Sequence, residues 1–277
     1  MNIEIVKKNK TFDGETIFYR HQSTVTKTPM NFSAFLPANK KIDSAIIWLS
    51  GLTCTEENFI VKAGAQNYLK NTNTMIICPD TSPRGLSLPE EHDSYDFGSG
   101  AGFYLNATTK GYSEHYQMYD YISIELMSIL KDHFKVDKVS ITGHSMGGHG
   151  ALVLGLREKD LFASVSAFSP IVNPTNCEWG KKAFKGYLGT VNEEAKRYDA
   201  TKLLKQGHIR DDSILIDQGL DDEFYPDQLL TQNLESTAKE VGQDLKVNYR
   251  EGYDHSYFFI SSFIEGHIRF HIGHLNK

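Results

Sequence analysis

The residues of this sequence that most directly suggest chemistry are a serine and the glycines around it. Gly143-His144-Ser145-Met146-Gly147 has the form G-x-S-x-G, with the apolar run KVSIT before it and the small-residue segment GHGALVLGL after it. A sharp turn from a strand into a helix needs small neighbours and exposes the serine hydroxyl. The pattern therefore predicts a nucleophile at Ser145. The alternative is an incidental serine in a glycine-rich turn.

A serine hydroxyl is a weak nucleophile at neutral pH, so it needs a base and a carboxylate that orients the base. His255, in the string EGYDHS, lies between the last predicted strand and the last predicted helix, and is the predicted base. The strand SILID leads into QGLDDEF, where Asp222 is the third residue after Gly219 and is the predicted carboxylate. The order serine, acid, histidine is that of α/β-hydrolases. Asp221 stays open as the alternative carboxylate. It could equally be a non-catalytic residue, either a solvated turn carboxylate or a helix N-cap.

The other histidines have weaker claims to a catalytic role. His144 and His149 flank the serine, and we expect them to shape the turn around it. His267, His271 and His274 fall within the last predicted helix, and we expect them to be surface or packing residues.

Two backbone amides are predicted to stabilise the negative charge that develops on the attacked carbonyl oxygen. One is that of Met146, the residue after the nucleophile. The second is that of Leu52, in the loop SGLTC that follows the strand SAIIWLS. Since only the backbone acts here, the Leu52 side chain should matter less than an undistorted Gly51.

Short apolar segments alternate with helix-period segments along the chain, which predicts one α/β domain over residues 1–277. We expect the α/β-hydrolase fold, with N-terminal antiparallel strands, a mostly parallel central sheet and helices on both faces. The clearest helix is predicted at His115–Phe134, and the long connections Asp80–Glu114 and Ser169–Thr190 are expected to shape the substrate site. The predicted strands are Glu4–Lys7, Thr16–His21, Asn31–Leu36, Ser44–Ser50, Thr74–Pro79, Lys138–Gly143, Ala163–Phe168, Ser213–Asp217 and Leu245–Tyr249.

Composition argues against several other classes of protein. The formal charge of -6 and the absence of long basic runs disfavour nucleic acid and anionic membranes as partners. No apolar stretch approaches the roughly 18 residues of a membrane span. Three cysteines without C-x-x-C spacing suggest neither a disulfide framework nor a zinc site. We expect a soluble cytoplasmic protein without a metal.

Several longer strings resemble the esterase D family, whose members include S-formylglutathione hydrolase. They are LSGLTCTEENF, YDFGSGAGFYLNAT, TGHSMGGHGAL, FSPIVNPTNCEWGKKAFKGYLG, DQGLDDEF and EGYDHSYFFI, in the order in which that family carries them. The resemblance implies hydrolysis of S-formylglutathione to glutathione and formate, together with short-chain carboxylesterase activity, without a cofactor, in the cytoplasm and often as a homodimer. It places the triad at Ser145, Asp222 and His255, matches Cys54 to a reactive cysteine, and puts Trp179 beside the acyl pocket.

The sequence leaves alternatives open for the function and for several residues. A general short-chain carboxylesterase or an acyltransferase would keep the same triad, and a non-catalytic binding module would have lost part of it. Cys54 fits a small buried side chain as well as a redox-sensitive thiol. The lysines after Trp179 either supply positive potential to an anionic substrate or are simply solvated; they are Lys181, Lys182 and Lys185.

Overall fold

The computed structural model of the protein describes residues 2–38, 41–191 and 193–277. Within these ranges nine strands form one sheet in the order β1-β2-β3-β5-β4-β6-β7-β8-β9. The strands are β1 (Ile3–Thr11), β2 (Gly14–Gln22), β3 (Pro29–Pro37), β4 (Ser44–Leu49), β5 (Thr74–Pro79), β6 (Lys138–Gly143), β7 (Val165–Phe168), β8 (Ile214–Gly219) and β9 (Leu245–Arg250).

The first three strands run antiparallel to their neighbours, and the six strands from β5 across to β9 are parallel. Parallel strands end at the same edge of a sheet, so the loops after β4, β6 and β8 open on one side of the molecule. The fold is therefore that of an α/β-hydrolase, as the sequence predicted.

The helices are α1 (Glu56–Lys62), α2 (Gln66–Leu69), α3 (Met118–Asp120), α4 (Met127–Asp132), α5 (Met146–Arg157), α6 (Glu178–Leu188), α7 (Glu193–Lys196), α8 (Ala200–Lys205), α9 (Thr231–Val241) and α10 (Tyr257–Leu275). Tyr112–Glu114 and Pro174–Asn176 form 3₁₀ turns, and Tyr121–Leu126 and Tyr225–Leu229 are π-helical.

Helices cover both faces of the sheet because the central strands are apolar on both sides. In β4, Ala45 and Ile47 point into the larger core, with α5, α6, α8 and α9. Ile46 and Trp48 point to the opposite face, where α1, α2 and α10 pack, and Trp48 stacks on Phe59 at 3.7 Å. Alternate residues of one strand thus anchor both helical layers.

All nine predicted strands are confirmed, and the predicted helix at His115–Phe134 needs a correction. Residues 115–117 are not helical; the helix begins at Met118, continues through a π turn into α4 and ends at Asp132, and residues 112–114 before it form a separate 3₁₀ turn. Within the π turn, the hydroxyl of Tyr121 lies 3.0 Å from His21 Nε2, and Glu125 accepts a hydrogen bond from the Thr24 amide at 2.7 Å. The wider turn lets both side chains reach the end of β2, a requirement that apolar spacing does not reveal.

The histidines of α10 are packing residues where they are buried. His267 and His271 both lie next to the hydroxyl of Ser166, which is 2.8 Å from His267 Nδ1 and 2.7 Å from His271 Nε2. Burial lowers the pKa of each imidazole below its ordinary value. His267 and His271 thus connect the last helix to β7, away from the serine turn. His274 is half-buried near the end of α10.

Candidate active site

Ser145 stands at the turn between β6 and α5 in a strained backbone conformation. Its φ of 59° and ψ of -120° lie in a region that side chains rarely adopt. The amide of Ser145 donates to the carbonyl of Phe168 at 3.0 Å, which ties the turn to β7. The side chain is buried within the molecule yet lines a cavity. A serine held in this way has its hydroxyl available to a molecule in that cavity.

The glycines on either side of the turn are required by close backbone approach. A Cβ on Gly147 would lie 2.0 Å from the carbonyl oxygen of Leu49, and one on Gly143 would lie 2.4 Å from the carbonyl oxygen of Gly147. Real Cβ atoms are not found at such distances, so β4 and the turn pack together only because these two residues lack side chains.

Asp222 and His255 come from loops that follow different strands, and the fold joins them. Asp222 lies after β8 and His255 lies between β9 and α10, and the His255 Nδ1–H donates to Asp222 Oδ2 at 2.6 Å. The other Asp222 oxygen accepts from the amide of Phe224 at 3.0 Å. Asp222 is fully buried, whereas the neighbouring Asp221 is exposed. The structure thus pairs His255 with Asp222 and not with Asp221.

The ring of His255 is held between two other rings. His144 lies on one side with its centroid at 4.3 Å, and Phe224 lies at 5.0 Å in an edge-on arrangement. Burial, and then the proximity of His255, hold the pKa of His144 well below its ordinary value, so His144 is neutral at pH 7. His149 is also buried, its Nε2–H donates to the carbonyl oxygen of Phe103 at 3.0 Å, and burial lowers its pKa to about 4.

Ser145 and His255 line the same cavity, but no hydrogen bond joins their side chains, both of which the structure describes. Catalytic hydrogen bonds are often loose without substrate and tighten when it binds. The arrangement therefore brings a hydroxyl, an imidazole and a carboxylate into one site in the order that nucleophilic catalysis uses.

Two backbone amides beside Ser145 are free to bind a ligand. In the part of the chain that the structure describes, neither Leu52 nor Met146 donates its N–H to a protein acceptor. The amides next to them are occupied, since Thr53 donates to Gly100 at 2.9 Å and Gly147 donates to His144 at 2.7 Å. Two free donors near a serine are what an oxyanion needs.

The cavity has a volume of about 270 Å³ and is lined mainly by aromatic and small residues. The indole N–H of Trp179 donates to the hydroxyl of Tyr95 at 3.1 Å, and Trp179 also packs on Phe224 at 4.7 Å. The residues around the cavity are Gly51, Leu52, Thr53, Cys54, Tyr95, His144, Ser145, Trp179, Phe224, His255 and Tyr257.

Sequence reasoning did not single out Tyr95, Phe224 or Tyr257 as lining residues. Tyr95 and Phe224 lie in different connections and Tyr257 is the first residue of α10, and each lies inside a string that carried the family resemblance. Those strings were the available signal, because nothing in the local spacing shows that the three aromatic side chains converge.

Cys54 lines the cavity, and burial raises the pKa of its thiol above the ordinary value. This environment disfavours the thiolate, which is the reactive form. Two of the lysines after Trp179 already have acidic partners: Lys181 pairs with Glu178 at 2.8 Å and Lys182 pairs with Asp96 at 2.5 Å.

Across residues 2–38, 41–191 and 193–277, no group of three or more histidine, cysteine or acidic residues is arranged to hold a metal ion. None of the helices in the same ranges is both long enough and apolar enough to cross a bilayer.

Comparison with known proteins identifies the family. The Esterase family model matches residues 23–270. An S-formylglutathione hydrolase from Agrobacterium tumefaciens is 39% identical, and the alignment covers 99% of this chain and 100% of that one, with a TM-score of 0.94. The chain belongs to the esterase family. Its resemblance to S-formylglutathione hydrolase, first seen in six strings, extends over the whole chain.

More distant esterases and hydrolases share the fold. A Staphylococcus aureus fluorophosphonate-binding serine hydrolase is 19% identical, with 94% of this chain and 99% of that one aligned and a TM-score of 0.74. A ferulic acid esterase from Anaeromyces mucronatus is 21% identical over 98% of this chain and 95% of that one, with a TM-score of 0.68. At these identities the likeness shows the architecture alone.

Proposed function

We propose that the protein hydrolyses S-formylglutathione to glutathione and formate through a formyl ester on Ser145. The observation that carries the proposal is the 39% identity, over nearly the full length of both chains, to an S-formylglutathione hydrolase. The small aromatic cavity supports it, since about 270 Å³ is at or below the usual range of small-molecule sites, roughly 300–1,000 Å³. Formyl is the smallest acyl group and needs little room.

In the first half of the reaction, Ser145 Oγ attacks the formyl carbon and His255 Nε2 accepts its proton. Asp222 keeps the imidazole in the required tautomer and stabilises its charged form. The oxygen of the tetrahedral intermediate accepts from the amides of Leu52 and Met146, each such donor being worth about 3 kcal/mol in the transition state. The carbon–sulfur bond then breaks, and His255 returns the proton to the departing thiolate of glutathione.

In the second half, His255 removes a proton from a water molecule that attacks the formyl ester. The ester bond to Ser145 breaks, the serine oxygen regains a proton from His255, and formate leaves. No cofactor takes part in this sequence. Short-chain carboxylesters are proposed as further substrates because the two amides recognise the carbonyl oxygen and not the leaving group.

Trp179 and Cys54 are proposed as walls of the acyl pocket. Both line the cavity, and the contacts of Trp179 with Tyr95 and Phe224 fix one side of it. We propose no redox role for Cys54, because its raised pKa favours the thiol.

The organisation of the protein beyond its site is also a proposal. One domain over residues 1–277, a cytoplasmic location and a homodimer fit a glutathione-dependent enzyme of this family. The single sheet that extends from β1 to β9 supports the first of these. Sedimentation equilibrium at micromolar concentration measures the mass of the particle, and we expect the mass of two chains.

The function is tested by measuring kcat/KM for S-formylglutathione, S-acetylglutathione and p-nitrophenyl acetate with the same preparation. A preference of at least a hundredfold for the formyl thioester supports the proposal. Equal or better turnover of the plain ester would make the protein a general carboxylesterase. Product analysis with an added alcohol separates a hydrolase, which releases formate, from an acyltransferase, which forms the formyl ester of the alcohol.

A further inference from the structure

The cavity can hold an acyl group and a sulfur atom, but it offers no partner for the charged groups of a glutathione leaving group. Glutathione carries two carboxylates and one ammonium group at neutral pH. The cavity lining contains no lysine or arginine. A cation that recognises the substrate must therefore lie at the edge of the cavity.

The lysines next to Trp179 are poorly suited to this task. Lys181 and Lys182 are engaged by Glu178 and Asp96. Lys185 makes neither an ion pair nor a cation–π contact with a lining residue, as far as the described residues show.

Lys62 combines a contact with a cavity-lining residue and the lack of an acidic partner, a combination that none of these three lysines has. It is the last residue of α1, it is exposed, and its Nζ lies 5.3 Å from the ring centroid of Tyr257, which lines the cavity. It is also close enough to Cys54, another lining residue, for its charge to act on the thiol. No carboxylate of the described chain lies within ion-pair distance of Lys62.

We propose that Lys62 is a specificity-determining residue that binds a carboxylate of the glutathione part of the substrate at the edge of the cavity formed by Tyr257. This inference rests on the proposed function. The contact with the Tyr257 ring holds the ammonium group beside the cavity, since an aromatic face attracts a cation. The ammonium group remains solvated and unpaired. A substrate carboxylate therefore does not have to displace an acidic side chain of the protein.

The strength of this contact is that of an exposed ion pair. Such pairs are weak, so loss of the charge should raise KM for the thioester by only about two- to fivefold. The contact is the same in ground state and transition state, so kcat should not change. Hydrolysis of a neutral ester should be unaffected.

The test compares Lys62→Gln, Lys62→Glu and Lys62→Arg with a matched control. Lys7 also lies 5.3 Å from an aromatic ring, that of Phe18, but on the edge strand β1 away from the cavity. Lys7→Gln therefore removes the same kind of contact without touching the site. Two quantities are measured for each variant: kcat and KM for S-formylglutathione, and the inhibition constant of S-methylglutathione against p-nitrophenyl acetate hydrolysis.

The expected result is a two- to fivefold rise in both KM and the inhibition constant for Lys62→Gln, a larger rise for Lys62→Glu, and near wild-type values for Lys62→Arg and Lys7→Gln. Equal effects of Lys62→Gln and Lys7→Gln, or no effect of Lys62→Glu, would overturn the proposal. So would a failure of S-methylglutathione to inhibit the wild type. If S-formylglutathione is a poor substrate but inhibition by S-methylglutathione depends on Lys62, the proposed function fails and the carboxylate site stands.

Discussion

The ring centroid of His144 lies 4.3 Å from that of His255, whose Nδ1–H donates a hydrogen bond to Asp222. Because burial keeps His144 neutral, it packs against His255 without opposing the positive charge that His255 would acquire as the proposed base. A residue inside the G-x-S-x-G turn thereby supports a residue more than a hundred positions later in the chain.

His144→Ala should remove this support and leave His255 free to rotate away from Ser145. A displacement of about 1 Å can cost about a hundredfold in rate, so we expect kcat/KM for p-nitrophenyl acetate to fall by about ten- to a hundredfold. His144→Phe keeps a neutral ring and should retain more activity than alanine. Thermal unfolding of both variants separates this effect from loss of fold, and an alanine variant with full activity would contradict the packing role.

The two adjacent aspartates should differ sharply in their effect on catalysis. Asp222→Asn leaves His255 with the wrong tautomer and should lower kcat by about 10⁴-fold, as expected for the carboxylate of a serine triad. Asp221→Asn is the matched control, since Asp221 is exposed and makes neither a hydrogen bond nor an ion pair with His255. Steady-state kinetics decides the question, and a large loss for Asp221→Asn with an active Asp222→Asn would reverse the assignment.

Gly147 and Gly266 should respond in opposite ways to the same substitution. Gly147→Ala places a methyl group 2.0 Å from the carbonyl oxygen of Leu49 and should destabilise the protein or prevent it from folding. Gly266, within α10, has no atom within 4 Å of an added Cβ. Gly266→Ala should stabilise the helix by about 0.5–1 kcal/mol. Urea denaturation measures both, and a stable Gly147→Ala variant would show that β4 and the serine turn can separate.

Stability should fall as the pH drops below about 6.5, the ordinary pKa of an exposed histidine. Burial lowers the folded-state pKa of several histidines, so at lower pH the unfolded state binds more protons than the folded state. These histidines are His21, His144, His149, His267 and His271. Each such group costs about 1.4 kcal/mol per pH unit until its folded pKa is reached. Glu56 acts in the opposite sense: burial raises its pKa to about 7, so its contribution is lost as the pH rises toward that value.

These histidines outnumber Glu56, so the free energy of unfolding should fall as the pH is lowered from about 6.5 to about 4.5. Urea unfolding at pH 7.0, 6.0 and 5.0 measures the slope. His149→Gln should reduce it by about one proton, whereas His208→Gln, at an exposed position, should not change it. A free energy of unfolding that is constant over this range would show that the buried histidines are protonated in the folded state.

The sequence was sufficient for the parallel strands because neighbouring residues such as Ile46 and Ile47, which point to opposite faces of the sheet, are both apolar, a pattern that only covered strands require. It did not reveal the π turn, because the reason for that turn is a contact of Tyr121 and Glu125 with β2, about a hundred residues earlier. Long-range polar contacts leave no local period in a sequence.

Some residues of the candidate site could likewise be predicted from the sequence, and others could not. Ser145 could be chosen from its motif, and Asp222 and His255 could be chosen from their positions after predicted strands. Spacing favoured Asp222 but left Asp221 open, because adjacent residues share the same local context; the 2.6 Å contact with His255 distinguishes them. The position of Lys62 beside Tyr257 could not be foreseen, since α1 and α10 are nearly two hundred residues apart.

The most direct test of the account is the kcat/KM of Ser145→Ala for S-formylglutathione, measured beside the wild type with both proteins shown to be folded. We predict rapid turnover by the wild type and a loss of about 10⁴-fold or more in the variant, because the remaining amides and cavity do not replace the nucleophile. A Ser145→Ala variant that retains more than about a tenth of the wild-type value would contradict the central claim that hydrolysis proceeds through an ester on Ser145.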